Sequence, residues 1–497
     1  MKKKALRINL KNNSFKEEII DNNIMKEYLG GRGLGARYIY DEINPKADPL
    51  SPDNKIIIAC GLITESGLEL GARYMMLTKS PLSNGITFAN SGGYFGHSIS
   101  NCGYFAIIIE ETASQNSYLY IDENKVSIFP ADDIWGKTTS QTIDILKKLH
   151  GDISILCIGS AGEYTSNMAI VVDNDGRAAG RGGVGAVMGS KNIKAIVCKN
   201  IYNNTNNLLY LDSLGTMFKK SACHRCPKSC IRLKNKADKP KKDKVQWPIQ
   251  NDNEYSKWAL IANNLCDEYG LDRVSVSSTI TLAKKLASLG YIKGMHFENG
   301  SDICDYIRQI GANIGFGAEL AKGSYYLANL YNMPQLAASI KKVELPIFDP
   351  KENAQNIISF ATSTKVGCHV RDEMINPDIL NTNAIDYNDL NAIIDAMGIC
   401  IYTTYNLDIQ NYVDMVNHCF NENLFNQKTF LDIGKRIYSL ERLYNINSGM
   451  TKDDDVFPEN TIMDRGSFQE LLLQYYKLRN WDDNGIPTAE LLKSLNI

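Results

Sequence analysis

The chain of 497 residues carries almost no net charge, −2 from 54 Lys and Arg against 56 Asp and Glu. No global basic field therefore points to nucleic acid as a partner. No run approaches the roughly 18 apolar residues of a membrane span, and the basic start MKKKALRINLKNNSF has no apolar stretch behind it. We expect a soluble, cytoplasmic protein with no membrane partner. A tandem repeat of solenoid type is also missing. Histidine is scarce, six residues in all, so each one is a candidate to weigh. Cysteine is not: twelve are scattered along the chain. That scatter does not resemble a secreted disulfide framework, and cysteines gathered in motifs suggest metal. Cys60, Cys157 and Cys198 lie in apolar, strand-like contexts and read as small core residues.

The densest cysteine motif is SACHRCPKSC, Ser221 to Cys230. Its C-x2-C-x3-C spacing gives three thiolates, Cys223, Cys226 and Cys230, that can close round one face of a [4Fe-4S] cube and leave the fourth ligand to a distant residue. Cys400 is the candidate for that fourth place. A structural zinc site, completed by His224 or the distant cysteine, is the other reading of the spacing. Two further segments match each other, DEYGLD at Asp267 to Asp272 and DAMGIC at Asp395 to Cys400. Each follows a helical pattern and places a glycine, Gly270 or Gly398, where a left-handed residue stops a helix. Asp267 and Asp395 then fall in a last turn, where a carboxylate opposes the helix dipole. Two such placements suggest a task other than stability. A fixed carboxylate can accept hydrogen bonds from the N–H groups of a flat nitrogen heterocycle, and the backbone past the glycine can approach it closely.

These residues resemble the tungsten-containing aldehyde ferredoxin oxidoreductase family. The likeness extends through GGRGLGARYIYDE (Gly30 to Glu42), GARYMMLTKSPLSNGITFANSGGYFG (Gly71 to Gly96), GRAAGRGGVGAVMGSKNIKAI (Gly176 to Ile196) and TSTKVGCHVR (Thr362 to Arg371). It implies a tungsten (or molybdenum) bis-pterin, each pterin held by one D-x-x-G-(L/I)-(D/C) segment: Asp267, Gly270, Leu271 and Asp272, then Asp395, Gly398 and Ile399. It implies that Cys400 completes the [4Fe-4S] cluster, that Asn90 and Ala178 give backbone carbonyls to a Mg2+ shared by the two phosphates, and that Arg73 lies between cluster and pterin. His369 matches a histidine near the metal that can donate to an oxo group or a developing oxyanion. Arg371 would help hold a phosphate or a nearby water. The reaction implied is aldehyde plus water to carboxylic acid, with electrons passed to ferredoxin or a similar small redox protein.

The sequence GRGGVG, Gly180 to Gly185, formally matches a dinucleotide-binding fingerprint but does not follow directly on a strand, and no acidic residue sits about 20 positions beyond. Its glycines can still expose backbone N–H groups to an anion, with Arg73, Arg177 and Arg181 as partners for phosphate.

Certain segments depart from the resemblance. Family aldehyde oxidases carry a glutamate, thought to be a general base, in a segment upstream of the first aspartate motif. That segment is missing here. Glu254, in NEYSKW, looks similar but sits close to Asp267, and we carry it as a candidate catalytic residue. The interval before the cysteine triplet and that from His369 to Cys400 are also short, and no match to a dimer-bridging metal site is found, so a homodimer is left open. The lysine-rich KNKADKPKKDKVQ, Lys234 to Gln246, reads as a solvated loop or as a docking patch for an acidic redox partner.

Along the chain, ALRINL, KIIIACGLIT, YFAIIIEE, SYLYIDE, ISILCIG and MAIVV read as strands. One helix interrupts them, with Thr138 and Gln141 as a capping box, Ile143, Leu146 and Leu149 on one face and Gly151 as its stop. From about Leu208 the period changes to 3.6, with helices expected at Lys257 to Cys266, Ser275 to Leu289, Ala318 to Tyr331, Tyr387 to Ala396 and Phe430 to Tyr444. The expected fold is α+β: a β-rich N-terminal domain, 1–205, then two mainly helical domains, 206–342 and 343–497, enclosing the cofactor. Two alternatives keep part of this reading. One has the same cofactors act on a different small organic substrate or reductively. The other is a noncatalytic iron-sulfur electron-transfer protein.

Overall fold

A computed structural model describes residues 2–123, 125–199, 209–211, 217–221, 223–226, 231–233, 245–249, 254–297, 299–345, 354–365, 384–457 and 464–497. The N-terminal part is built twice on one plan. Strands β1 (Lys4–Asn9), β2 (Ser14–Ile19), β3 (Ile56–Cys60), β4 (Tyr74–Lys79), β5 (Ile86–Ser91) and β6 (Ala106–Glu110) form the first sheet. Strands β7 (Ser117–Ile121), β8 (Val126–Pro130), β9 (Ile153–Ile158), β10 (Val171–Asp173), β11 (Ala178–Ala179) and β12 (Ile193–Lys199) form the second. Their spatial orders are β2-β1-β6-β3-β4-β5 and β8-β7-β12-β9-β10-β11. The two orders coincide strand for strand. The directions do too: β1 with β6 and β7 with β12 are the parallel pairs, and every other pair is antiparallel.

The connections repeat as well. Helices Gly31–Glu42 and Thr139–His150 precede β3 and β9, and helices Phe95–Asn101 and Val184–Ser190 precede β6 and β12. Strands β9 and β12 at the centre of the second sheet are buried on both faces, which explains why they read as nearly continuous apolar runs. Ile153, Ile155 and Cys157 of β9, with Ala195 and Val197 of β12, face the Thr139–His150 helix. Their neighbours Leu156, Ile158, Ile196 and Cys198 enter the main core. This is the period of two expected of a pleated strand. The capping box of Thr138 and Gln141 and the Gly151 stop are present. Leu149, however, is exposed, so the buried stripe of that helix ends at Leu146.

The helical part follows. Helices Tyr255–Tyr269, Arg273–Ser288 and Gly300–Ala312 build one core with Trp247. The helix expected over Ala318 to Tyr331 is two pieces, Gly317–Leu320 and Ser324–Leu330, broken at Gly323, whose φ of +102° a continuous helix does not allow. The stretch after residue 205 opens with short antiparallel strands, Leu209–Leu211, Met217–Ser221 and Ile231–Leu233, where a helical period was expected to begin. Helices Ala384–Met397 and Gln427–Ser448 share the core of the first sheet, so the last part of the chain packs directly on the first. Among the described residues, no helix is long and apolar enough to cross a membrane.

Candidate cofactor and cluster site

Each half of the repeat ends a strand in glycine, and each glycine receives one aspartate motif. In the first half Gly61 follows β3. A Cβ there would lie 2.1 Å from Cα of Gly398, so only glycine lets the two backbones meet. Gly398 itself has φ +76° and stops the Ala384–Met397 helix as expected. Its carbonyl accepts the Arg73 N–H at 3.0 Å, just before β4. In the second half Gly159 follows β9, and a Cβ there would lie 2.2 Å from the carbonyl of Tyr269. Gly270, φ +70°, stops the Tyr255–Tyr269 helix, and its carbonyl accepts the Ile170 N–H at 2.9 Å, just before β10. Leu271 continues the contact through a bridge to Ala169. The matching sequences therefore hold matching positions.

Asn90 and Ala178 also correspond. Asn90 is registered opposite Met75, the second residue of β4, and Ala178 opposite Val172, the second residue of β10. The GRGGVG segment runs from β11 into the Val184–Ser190 helix, but β11 is antiparallel to β10. A dinucleotide fold needs a parallel pair there, so that reading is excluded. Arg181, Gly182 and Gly183 instead take three successive positive φ angles.

The side chains around the two motifs differ. Asp395 is fully buried. It accepts from the Asn90 amide at 2.7 Å and lies 3.8 Å from the Arg32 guanidinium. Arg73 donates to Asn90 Oδ1 and, at 3.5 Å, to Cys400 Sγ. Burial works to lower the Arg73 pKa, but the Cys400 and Cys223 sulfurs outweigh it and hold the guanidinium above its ordinary range. Cys400 and Cys223 thus both act on Arg73. Cys223 packs on the turn after β5, where a Cβ on Gly92 would lie 2.6 Å from its sulfur. Cys226 follows it in a tight turn, its N–H donating to the Cys223 carbonyl at 3.0 Å. His224 stacks on His97 at 3.7 Å, and burial pushes its pKa down to about 4.

At the first motif, Asp267 is partly exposed and pairs with Arg273. Asp272 caps the Arg273–Ser288 helix and lies 3.3 Å from Arg181 Nε. Arg181 also donates to the Glu344 carbonyl. Arg177 is buried beside Asp175 and Asp173. Burial works to lower its pKa, and Cys223, Asp173 and Asp175 together raise it.

Glu254 is exposed at the N-terminal end of the Tyr255–Tyr269 helix, paired with Lys257. The structure does not bring it to the motif: the 15 residues of that helix put about 22 Å between it and Gly270. Cys230, His369 and Arg371, and Lys239, Lys241, Lys242 and Lys244 of the basic run, lie outside the described residues. Among the described residues, no three His, Cys, Asp or Glu side chains close around a single ion. Cys60, Cys157 and Cys198 are core thiols whose pKa values burial raises, to about 12 for Cys157. The residues missed from the sequence are Gly61 and Gly159, which receive the motifs, and the buried pair Arg32 and Glu441. The available signal was that two apolar strands, IIIAC and ISILCI, each run straight into a glycine.

The donor set fits a large anionic cofactor beside an iron-sulfur cluster. Two glycine cradles stand at equivalent places, buried arginines line them, and thiols lie on one side. Comparison with known proteins identifies the family. The N-terminal domain of aldehyde ferredoxin oxidoreductase matches residues 5–200, and domains 2 and 3 of that enzyme match residues 176–497. The tungsten-containing aldehyde ferredoxin oxidoreductase of Pyrococcus furiosus is 33% identical over 99% of this chain and 98% of its own length. That of Pyrococcus horikoshii is 34% identical with the same coverage. The alignment with the first spans 596 positions against 497 residues here, so relatives carry segments this chain lacks. The WOR-like subunit of an aliphatic sulfonate oxidoreductase from Pyrococcus furiosus is 24% identical over 99% of this chain and 96% of that subunit. Among solved structures, the active site complex BamBC of benzoyl coenzyme A reductase, in complex with 1,5-dienoyl-CoA, shares the fold. Its TM-score is 0.82 at 22% identity, over 99% of this chain and 96% of that one. The chain is an oxidoreductase and belongs to the aldehyde ferredoxin oxidoreductase family.

Proposed function

We propose that this chain carries a tungsten bis-pterin and a [4Fe-4S] cluster, oxidises an aldehyde to a carboxylic acid, and passes the electrons to ferredoxin or a similar small redox protein. The observation that carries this is the equivalent docking of the two aspartate motifs, the second delivering Cys400 to Arg73, whose side chain lies beside Gly92 as Cys223 does. When bound, the metal group supplies Lewis acidity and a two-electron sink. Asp267 and Asp395 accept N–H groups of the two heterocycles, and Gly270 and Gly398 let the rings approach the backbone. Asn90 and Ala178, at equivalent positions, would offer backbone carbonyls to a Mg2+, with Arg177 and Arg181 as cationic neighbours for phosphate. Cys223, Cys226, Cys230 and Cys400 would hold the cluster, and Arg73, which donates to Cys400, would be the cationic neighbour of both cluster and pterin. His369 donates a hydrogen bond or proton to the substrate oxygen, and Arg371 steadies a phosphate or a water.

Glu254, exposed and remote from Gly270, together with the shorter chain, favours a second reading with the same cofactors and a different small organic substrate. Anaerobically purified protein should contain tungsten or molybdenum, iron and pterin, and should reduce ferredoxin when given an aldehyde. Metal and pterin without aldehyde turnover would favour the second reading. Iron alone, from a host able to make the tungsten cofactor, would leave a noncatalytic electron-transfer protein. A His369→Ala enzyme with full metal content and unaltered turnover would contradict the histidine's role.

A further inference from the structure

Arg32 enters the interior from the second position of the Gly31–Glu42 helix, and it is 3% exposed. Its Nε and Nη2 meet the two Glu441 carboxylate oxygens at 2.7 Å each, a forked pair that fixes the plane of the guanidinium. Thr364 accepts from Nη2 at 3.3 Å and donates to Glu441 at 2.5 Å. The ring of Phe88 lies under the guanidinium, 3.9 Å from centroid to carbon. What remains is Nη1, and it faces Asp395 Oδ2 at 3.8 Å while Asn90 holds Oδ1. Gly31 adds a backbone contact: a Cβ there would fall 2.2 Å from the Asp395 carbonyl.

The other half has the same helix and a different device. Thr139 stands where Gly31 does and donates to the Asp267 carbonyl at 2.9 Å. Ser140 stands where Arg32 does and reaches Glu268, not Asp267. Asp267 is left to Arg273, a residue of its own segment at the surface.

We infer that Arg32, clamped by Glu441, is the positioning residue for Asp395, fixing the carboxylate that receives the heterocycle on the cluster side, whereas on the other side Asp267 pairs with Arg273 of its own segment. The inference rests on the bis-pterin reading above. Arg32 does not touch the reacting atoms and acts through Asp395. Burial works to lower its pKa, but Glu441 and Asp395 outweigh it, so the clamp stays charged.

The test uses the holoenzyme with Arg32→Lys, which keeps a cation beside Glu441 and gives up the reach to Asp395. Tungsten and pterin retained through dialysis should fall about tenfold, the size seen when partners that orient a metal site are removed. The W(V) electron paramagnetic resonance signal should shift, while iron content and the cluster signal stay as in the wild type. Arg479→Lys is the control. Its buried pair with Asp389 lies within the helical part, so its thermal midpoint should fall with no change in the W(V) signal. Wild-type retention and an unshifted signal in Arg32→Lys would overturn the inference, as would an equal shift in Arg479→Lys. Absence of tungsten and pterin from the wild type would overturn the reading beneath it.

Discussion

The two halves of the N-terminal part share a backbone plan and differ in their side chains. Gly61 and Gly159, Gly398 and Gly270, and the N–H groups of Arg73 and Ile170 do the same work at the same places. Around them Arg73 replaces Ile170, Asn90 replaces Ala178, and Cys400 replaces Asp272. Asp395 is buried where Asp267 is partly exposed. Docking a helix stop onto a strand end needs only glycine and paired peptide groups, and both halves supply them. Around the first half's motif the side chains add a thiol and a buried ion pair: Cys400 accepts from Arg73, and Asp395 lies beside Arg32.

The largest effect that would test this asymmetry is on charge. Glu441→Gln leaves Arg32 buried with half its partner gone and should cost about 3–5 kcal/mol, whereas Asp267→Asn at the exposed pair should cost at most about 1 kcal/mol. Urea midpoints of the two variants measure the difference, and equal losses would refute a buried clamp confined to one half. The shared backbone makes the opposite prediction. Gly61→Ala and Gly159→Ala should each lose about 1–3 kcal/mol, since both add a Cβ against the backbone of an arriving motif. A large loss in one and none in the other would show that the halves dock their motifs differently.

The β-rich region and the helix stops were legible because their signals are local. Apolar runs between turn residues gave β1, β3, β6, β7, β9 and β10, and two glycines after helical patterns gave Gly270 and Gly398. The duplication was not legible. It lies in strand order and direction, and the repeated pieces share little sequence beyond a strand running into glycine. Strands β4 and β5 were read only as part of a resembling segment, because polar residues interrupt the apolar pattern, among them Asn90, whose partner Asp395 is remote in sequence. Arg32 escaped for the same reason: Glu441 is its partner across the whole length of the chain.

A smaller contrast concerns pH. Asp173 is the third residue of β10, where the first half has Met76 in β4. Burial, then the charge of Asp175, push its pKa from the ordinary 3.8 to about 7, although Arg177 and the peptide N–H groups of Arg177 and Asp175 oppose the rise. Between those values the folded chain holds a proton that the unfolded chain has released, so stability falls as pH rises. The slope should be about 1 kcal/mol for the unit from pH 5 to 6. Asp173→Asn keeps the oxygen that accepts both N–H groups and should remove that slope, as thermal midpoints across pH 4 to 8 would record.

The smallest contrast lies where the two long helices begin. Thr139 spends a hydroxyl on the Asp267 carbonyl, while Gly31 brings its backbone up to the Asp395 carbonyl with no side chain at all. Thr139→Ala should cost about 1 kcal/mol, the net worth of one hydrogen bond. Gly31→Ala should cost more, because φ is +40° there and the new Cβ would meet the carbonyl oxygen at 2.2 Å. The order of the two losses carries the argument. If Thr139→Ala were the more damaging, side-chain hydrogen bonding would be holding the motifs, and the glycine cradle would be incidental. If Gly31→Ala is, close backbone approach sets where each motif sits, and side chains decide only what it can do.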